Sequence, residues 1–372
     1  MISRTIHTVK QYIAVSRNLA QYDGSGFAVV LSRILISRIF YGMGPDIYNL
    51  RRFSKKRLRQ TREYLSLRER EDLQKILCPK EAWGLVENKL RFYERCILHG
   101  LPTPRLFGIL MIKDAYVPDG IPVVRSRQEF RDLLCGLLPG QYVVKPLDGG
   151  HGWGVSAVRV ENSGVTNLLG ERIDLDEFYR QCIDSLYQSA GFLVQEFARP
   201  HRMLKTIMPG PGLGTFRVVS FLTRDGRVNI PYAVVKIPVG GNVIDNFDAG
   251  GSGNWVCPVD VATGCLGNAV GKSPSVPVVS EMEKHLETGA IFREIVVPCW
   301  EEVKSTIVKA AQAFSELRMI GWDVAVTDSG ANILEANWDW GENIIEVAHD
   351  RGLRFELTEI ANNARLTVPG EA

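Results

Sequence analysis

The stretch Ile320-Gly-Trp-Asp323-Val-Ala-Val-Thr-Asp-Ser-Gly330-Ala-Asn-Ile-Leu-Glu335-Ala-Asn337 decides the fold. Two apolar runs of strand character flank Asp328-Ser329-Gly330, residues that favour a turn. A hairpin folded about Ser329 sets Asp323 directly opposite Glu335. Asn337 shares their face two residues on, because side chains alternate along a strand. Directly opposed carboxylates repel. A bound cation would offset that cost, and without one, neutralising either acid would relieve it. Two carboxylates, an amide oxygen and open positions suit Mg²⁺, which keeps waters and takes further ligands from phosphates. Mn²⁺ is the alternative ion. A polar, solvated hairpin face is the plainer reading, but the flanking residues are too apolar for an exposed ribbon.

Working outward, Gln141-Tyr-Val-Val-Lys145-Pro146 reads as a short buried strand that ends in a lysine. Leu147-Asp148-Gly149-Gly150-His151-Gly152-Trp153-Gly154 follows at once. Such a glycine density lets the backbone bend sharply and aim N–H groups at an anion. The lysine leading into it can meet phosphate oxygens as a point charge. The loop is not a Walker loop, because no Gly-Lys-Ser/Thr ends it. It is not a dinucleotide fingerprint either, because a strand-like run, residues 155–160, follows where that fold needs a helix. Strand, glycine loop, strand makes a flap over a nucleotide. A glycine-rich hairpin loop without a ligand is the bland alternative.

A third pattern lies between these two. Residues 214–223 and 228–237 flank Asp225-Gly226, a strong hairpin turn. Centred there, the hairpin pairs Arg217 with Val234 and Thr215 with Lys236. Arg217 and Lys236 then share one face diagonally, and two cations that close call for an anion between them. A transferred phosphate is the candidate; solvated surface charges are the alternative.

Together these residues resemble the ATP-grasp superfamily, and within it the branch named for association with sugar transfer, related to α-L-glutamate ligase-like proteins. The likeness runs from about residue 39 to about residue 341. It rests on Asn88-Lys89, Val143-Val-Lys-Pro146 with its loop, Val194-Gln-Glu196, Thr215-Phe-Arg217, residues 243–251, Gly321-Trp-Asp323 and Leu334-Glu-Ala-Asn337. The resemblance implies an α+β fold, two α/β lobes clasping ATP behind a helical N-terminal region. Lys89 and Lys145 would reach the phosphates, with Asp148, Gly149, Gly150, His151 and Gly152 in the loop over them. Gln195, Glu196 and Phe197 would form the hinge at adenine. Asp323, Glu335 and Asn337 would hold Mg²⁺. Arg217, Lys236 and Asn246 would act on the transferred phosphate, and Gly250 and Gly251 would close near it and the acceptor. His285 and Trp338 are weaker substrate contacts. Trp338 belongs to Trp338-Asp-Trp-Gly341, where many relatives carry a small or basic residue beside the asparagine.

The bulk properties agree with a large soluble globular protein: 372 residues with ordinary hydrophobic and charged fractions. The net charge of +2 hides an asymmetry. Residues 1–80 carry 16 Lys/Arg against 6 Asp/Glu, and the other 292 carry 28 against 36. The basic end, with Arg51-Arg52 and Lys55-Lys56-Arg57-Leu-Arg59, suits an anionic surface or glycosyl-transfer machinery, with nucleic acid the least favoured partner. The alternative is a solvated face, or one docked on the acidic body. Seven cysteines without CxxC or zinc spacing fit reduced thiols in a cytoplasm. Residues 1–16 are too polar for a signal peptide. Residues 26–44 are the most apolar, but Arg33 and Arg38 argue against a membrane span. An amphipathic helix fits better, packed on the body or lying peripherally at the inner membrane face.

Three units are expected: residues 1–80, a basic helical region; 81–196, a helix and the smaller lobe; and 197–372, the larger lobe with the metal hairpin. The function expected is an ATP-dependent ligase that joins a carboxylate to an amine through an acyl phosphate. The alternatives are a kinase acting on a hydroxyl and an ATP-binding, noncatalytic partner of a glycosyl-transfer complex.

Overall fold

A computed structural model describes residues 2–149, 154–184, 189–273 and 276–365. The chain opens with α1 (Ile2–Asp23), α2 (Phe27–Tyr41), α3 (Pro45–Leu50) and α4 (Leu67–Leu77). Gly42 takes φ +69° to end α2, and its N–H returns to Arg38 O. Ser66 and Glu69 exchange hydrogen bonds as a capping box on α4. Residues 81–99 do not form one helix. Asn88 leaves helical backbone, so α5 (Gly84–Glu87) stops and α6 (Lys89–Leu98) starts afresh. The Asn88 carboxamide oxygen accepts from the N–H groups of Leu90 and Arg91, which fixes Lys89 at the first turn.

The smaller lobe is built from β1 (Leu106–Met111), β2 (Val123–Val124), β3 (Gly140–Pro146), β4 (Ser156–Glu161), β5 (Gly164–Asn167) and β6 (Gly191–Glu196). They form a six-stranded sheet in the order β2-β1-β6-β3-β4-β5. Helices α7 (Arg127–Cys135) and α8 (Leu175–Ile183) cover one face, where Phe130, Leu134 and Phe178 pack on Val144, Val158 and Val194. Alternation then sends Val143 and Lys145 to the other face.

The larger lobe holds β7 (Phe216–Leu222), β8 (Val228–Ile237), β9 (Trp255–Pro258), β10 (Ala269–Ser273), β11 (Val276–Met282), β12 (Met319–Thr327) and β13 (Gly330–Asn337). The order is β11-β10-β9-β8-β7-β12-β13. The adjacent chain between β11 and β12 supplies α9 (Trp300–Ala313), whose apolar stripe joins Phe216, Trp322 and Val324 in the core. Helices α10 (Glu342–Ala348) and α11 (Arg354–Arg365) are the last described elements.

The N-terminal region is not a separate body. Leu50, Leu65 and Leu77 enter the larger lobe's core, and Tyr48, Phe53 and Tyr64 pack with Val278 of β11. Helix α6 serves both lobes: Phe92 and Cys96 belong to the larger core, Leu90 to a cluster with Leu193 of β6. Much of the basic cluster is spent inward. Arg51 pairs with buried Glu346 at 2.6 Å, and Arg52 with Glu281 at 2.7 Å and Asp350 at 2.8 Å. Lys56 also reaches Asp350. These three cations dock the region on the acidic body, so the anionic-surface expectation does not extend to them. Lys55, Arg57 and Arg59 stay exposed. Among the described residues no helix is long and apolar enough to cross a membrane.

Candidate active site

The hairpin β12–β13 sets Asp323 opposite Glu335, and it does so by a route the turn alone does not give. Thr327 pairs with Gly330, so the tip is the two residues Asp328-Ser329 and not a loop centred on Ser329. That register would put Leu334 across from Asp323. A one-residue bulge between the Asp323 and Val324 pairings inserts Leu334 and moves Glu335 into place. Asn337 pairs with Gly321, on the same face. Its amide donates to Glu335 Oε1 at 3.3 Å.

Asp323 has a second neighbour: on β7, Arg217 lies directly across from it. Arg217 Nε donates to Asp323 Oδ1 at 2.6 Å, Nη2 to Oδ2 at 3.0 Å, and Nη1 to Trp340 O at 2.7 Å. Lys236 Nζ donates to Asp323 Oδ2 at 3.1 Å and lies 3.4 Å from Asp245. The anion between Arg217 and Lys236 is therefore Asp323, which corrects the expectation that a transferred phosphate sits there. The opposed-carboxylate argument changes with it. The repulsion between Asp323 and Glu335 is already offset by two resident cations. Burial alone would raise the Asp323 carboxyl, but Arg217 and then Lys236 outweigh it and hold it below the carboxylate range. Burial disfavours charge on Lys236, yet Asp245 and Asp323 raise it. Sequence reading missed Asp245 as a site residue. It accepts from the Thr215 N–H at 2.7 Å and hydroxyl at 2.5 Å, and the resemblance covers its stretch, residues 243–251, without singling it out.

Across the cleft stand Lys89 and Lys145. The Lys145 ammonium is lowered to about 8: burial and then Lys89 lower it, and Glu335 and Asp323 partly offset them. Lys89 is likewise lowered by burial, against Glu335 and Asp148. Among the described residues, neither lysine has a carboxylate within ion-pair distance. Lys89 Nζ donates to Gly149 O at 2.9 Å, so here it grips the loop backbone. Gly149 takes φ +106°, a conformation its lack of Cβ permits. Asp148 Oδ2 accepts from Ala190 N–H, tying the loop's start to the chain before β6. Gly150, His151 and Gly152 lie outside the described residues.

At the hinge, a cavity of about 430 Å³ is lined by Gln141, Tyr142, Glu196, Phe197 and the hairpin tip. Gln195 does not line it; its amide donates to Pro104 O at 2.9 Å, a buried structural bond. Thr327 at the tip is four residues from Asp323 on one strand, about 13 Å at the rise of a β-strand. Cavity and charged cluster thus mark two ends of one elongated cleft.

Three expected contacts, His285, Gly250 and Gly251, fall elsewhere. His285 is buried against Trp255 and Phe292, and its Nδ1 accepts from the N–H groups of Glu287 and Thr288. It organises its own loop and is not a substrate contact in this arrangement. Gly250 lies against Val279 and Lys272 on β11 and β10, strands away from Lys236, and Gly251 abuts Asp248. This part of the 243–251 stretch packs at the β10–β11 edge of the sheet. Asn246 directly follows Asp245 of the charged cluster, and its side-chain oxygen accepts from the Asp248 N–H. Trp338 stacks on Trp83 with centroids 3.6 Å apart and donates to Glu87 Oε1 at 2.8 Å, an aromatic wall beside Asn337.

For Mg²⁺ the donor chemistry fits at Glu335 and Asn337, which are half-buried and reachable. Both oxygens of Asp323 already accept N–H donors, so it stands behind them as a held charge. Among the described residues no three His, Cys, Asp or Glu side chains are grouped to hold a metal.

Solved structures similar in fold include D-alanyl-alanine synthetase A from Vibrio cholerae (13% identity, 80% of this chain, 72% of that one, TM-score 0.44). Biotin carboxylase from Campylobacter jejuni matches at 11% identity over 79% of this chain and 50% of its own, TM-score 0.42. Phosphoribosylglycinamide synthetase from Anaerococcus prevotii matches at 13% over 70% and 44%, TM-score 0.34. The chain thus spans about half the length of the latter two. No curated protein matches the sequence. The family described as "Sugar-transfer associated ATP-grasp" matches residues 68–362, so two sheets facing across a charged cleft are here the frame of an ATP-grasp protein, and the chain belongs to that family.

Proposed function

We propose that the chain is an ATP-dependent carboxylate–amine ligase. The observation that carries this reading is the unmatched pair Lys89 and Lys145 facing Glu335 and Asn337 across the cleft. Two partly desolvated cations without carboxylate partners favour a polyanion between them. The hinge cavity beyond them has room for a base. Glu335 and Asn337 would hold Mg²⁺, with Mn²⁺ the alternative; when bound, the metal draws charge from phosphate oxygens.

The rest is positioning by the protein. Lys145 supplies a point charge to the phosphate chain, and Lys89 holds the start of the glycine loop at Gly149. Arg217 and Lys236 clamp Asp323, which keeps Glu335 in register. A substrate carboxylate attacking the terminal phosphoryl group forms an acyl phosphate and ADP, and an amine then displaces phosphate to leave an amide. Fixed charges and orientation carry this chemistry, so no nucleophilic dyad is required. The family's sugar-transfer association supports a role in polysaccharide or secondary-metabolite synthesis.

The test is ADP release by the full chain against paired panels of amino acids and sugar acids, with mass spectrometry of the product. ADP release that needs both a carboxylate and an amine, with an amide formed, is the expected result. A phosphorylated hydroxyl with no amine requirement would replace the ligase by a kinase, and ATP binding without any turnover would leave the noncatalytic reading.

A further inference from the structure

Helix α2 is apolar on both sides, and the body covers only one. Val30, Ile34 and Ser37 are buried against α1, the N-terminal core and its partners. On the opposite side Val29, Leu35, Ile39 and Phe40 are 56%, 43%, 73% and 72% exposed. Ala28 and Ser32 are exposed between them. At 100° per residue these positions form one continuous stripe, broken only by the Ser32 hydroxyl. A contiguous apolar stripe on a protein surface marks something that covers it.

The charge around the stripe selects the cover. Residues 1–41 contain five Lys/Arg and a single acid, Asp23. Lys10, Arg17 and Arg38 are exposed on α1 and α2, and Lys55, Arg57 and Arg59 on the segment that follows. Those cations remain after Arg51, Arg52 and Lys56 have found acids in the body. A second copy of this chain would meet the stripe with the same cations around its own, an isologous contact of like charges. Anionic lipid complements both features at once. Apolar side chains enter the acyl boundary while Arg and Lys stems reach headgroup phosphates. The helix has 15 residues, about 22 Å, which is shorter than the roughly 30 Å hydrocarbon core, so it would lie in the membrane plane.

We propose that α2 seats the protein on an anionic lipid surface through Val29, Leu35, Ile39 and Phe40. The inference is independent of the reaction in the cleft. The experiment is co-sedimentation of the full chain with vesicles of phosphatidylglycerol and phosphatidylcholine, beside vesicles of phosphatidylcholine alone. Binding to the anionic vesicles is expected, weakening as salt rises. The double substitution Ile39→Asp, Phe40→Asp should lower it at least tenfold without shifting the melting temperature, because both side chains already face solvent. Arg38→Glu should lower it severalfold. No binding, equal binding to neutral vesicles, or binding untouched by the double variant overturns the proposal. So does a concentration-dependent dimer in sedimentation equilibrium that the double variant abolishes, which would make the stripe a contact between copies.

Discussion

Two buried charge clusters in this protein use the same side chains for opposite ends. In the docking cluster, Arg51 meets Glu346 and Leu65 O, and Arg52 meets Glu281, Asp350 and Val347 O. Every guanidinium there faces an acid of its own chain, and the result is an attached N-terminal region. In the cleft, Arg217 and Lys236 are matched to Asp323 in the same way, but Lys89 and Lys145 are not matched to any carboxylate at ion-pair distance among the described residues. A cluster that is complete by itself has no need of a ligand. A cluster with spare, partly desolvated cation charge is stabilised by one. The difference separates scaffold from site, although the two cannot be told apart by composition.

Substitutions can break that distinction at several points. Asp323→Asn should have the largest effect, because it leaves Arg217 and Lys236 buried with half their counter-charge. A loss of about 3–5 kcal/mol is expected for breaking such a pair, read as a fall in urea midpoint, together with loss of turnover. A more stable Asp323→Asn protein would show that carboxylate repulsion dominates after all. Arg51→Met should cost a comparable amount or slightly less, by uncovering buried Glu346. ATP affinity of the folded fraction should be unchanged in calorimetry. If ATP binding falls as well, the two clusters are not independent.

Lys145→Met should do the reverse. Stability at pH 7 should hold or rise, since an unmatched, desolvated cation is removed, while ATP affinity falls about tenfold or more. The pH dependence follows from a lysine lowered to about 8 from its ordinary 10.5. Below about pH 8 both the folded and the unfolded chain carry the proton, and the buried charge costs stability. Between about 8 and 10.5 only the unfolded chain carries it, so this position adds stability as pH rises. ATP affinity should therefore decline above pH 8 in the parent chain, and that decline should be much weaker in Lys145→Met. Glu335→Gln is the smallest change for the fold, within about 1 kcal/mol, because the group is half-buried and is tied by side-chain hydrogen bonding rather than by an ion pair. It should still remove the stabilisation that Mg·ATP confers in melting curves. A full Mg·ATP shift in this variant would take the metal away from the hairpin.

Much of the frame was readable in the sequence. Alternating apolar runs around Asp328-Ser329 and Asp225-Gly226 gave both hairpins, and the Arg217–Val234 pairing occurs as read. What escaped was the order of strands. No local pattern tells that β7 lies beside β12, and that neighbour turns Arg217 from a phosphate ligand into the partner of Asp323. The buried role of His285 escaped for the same reason, since its aromatic neighbours come from distant segments. The break at Asn88 was legible in principle, as asparagine favours caps over helix interiors. The docked basic cluster was left open by composition, because the acids that meet it, Glu281, Glu346 and Asp350, stand more than 200 residues away in the chain.

The Leu334 bulge carries a consequence for how this hairpin can vary in length. The two-residue tip and the bulged leg together count out the distance from Asp323 to Glu335. Removing Leu334 would leave Ile333 opposite Val324 and bring Glu335 next in line opposite Asp323, on an unbulged ladder. A residue added at the tip, outside the Thr327–Gly330 pair, leaves those pairings unchanged as well. Variants of this hairpin that lose the bulge or lengthen the tip should therefore keep the same two acids face to face. The number of residues between them can change while their opposition does not, because it is counted in paired positions and not in chain length.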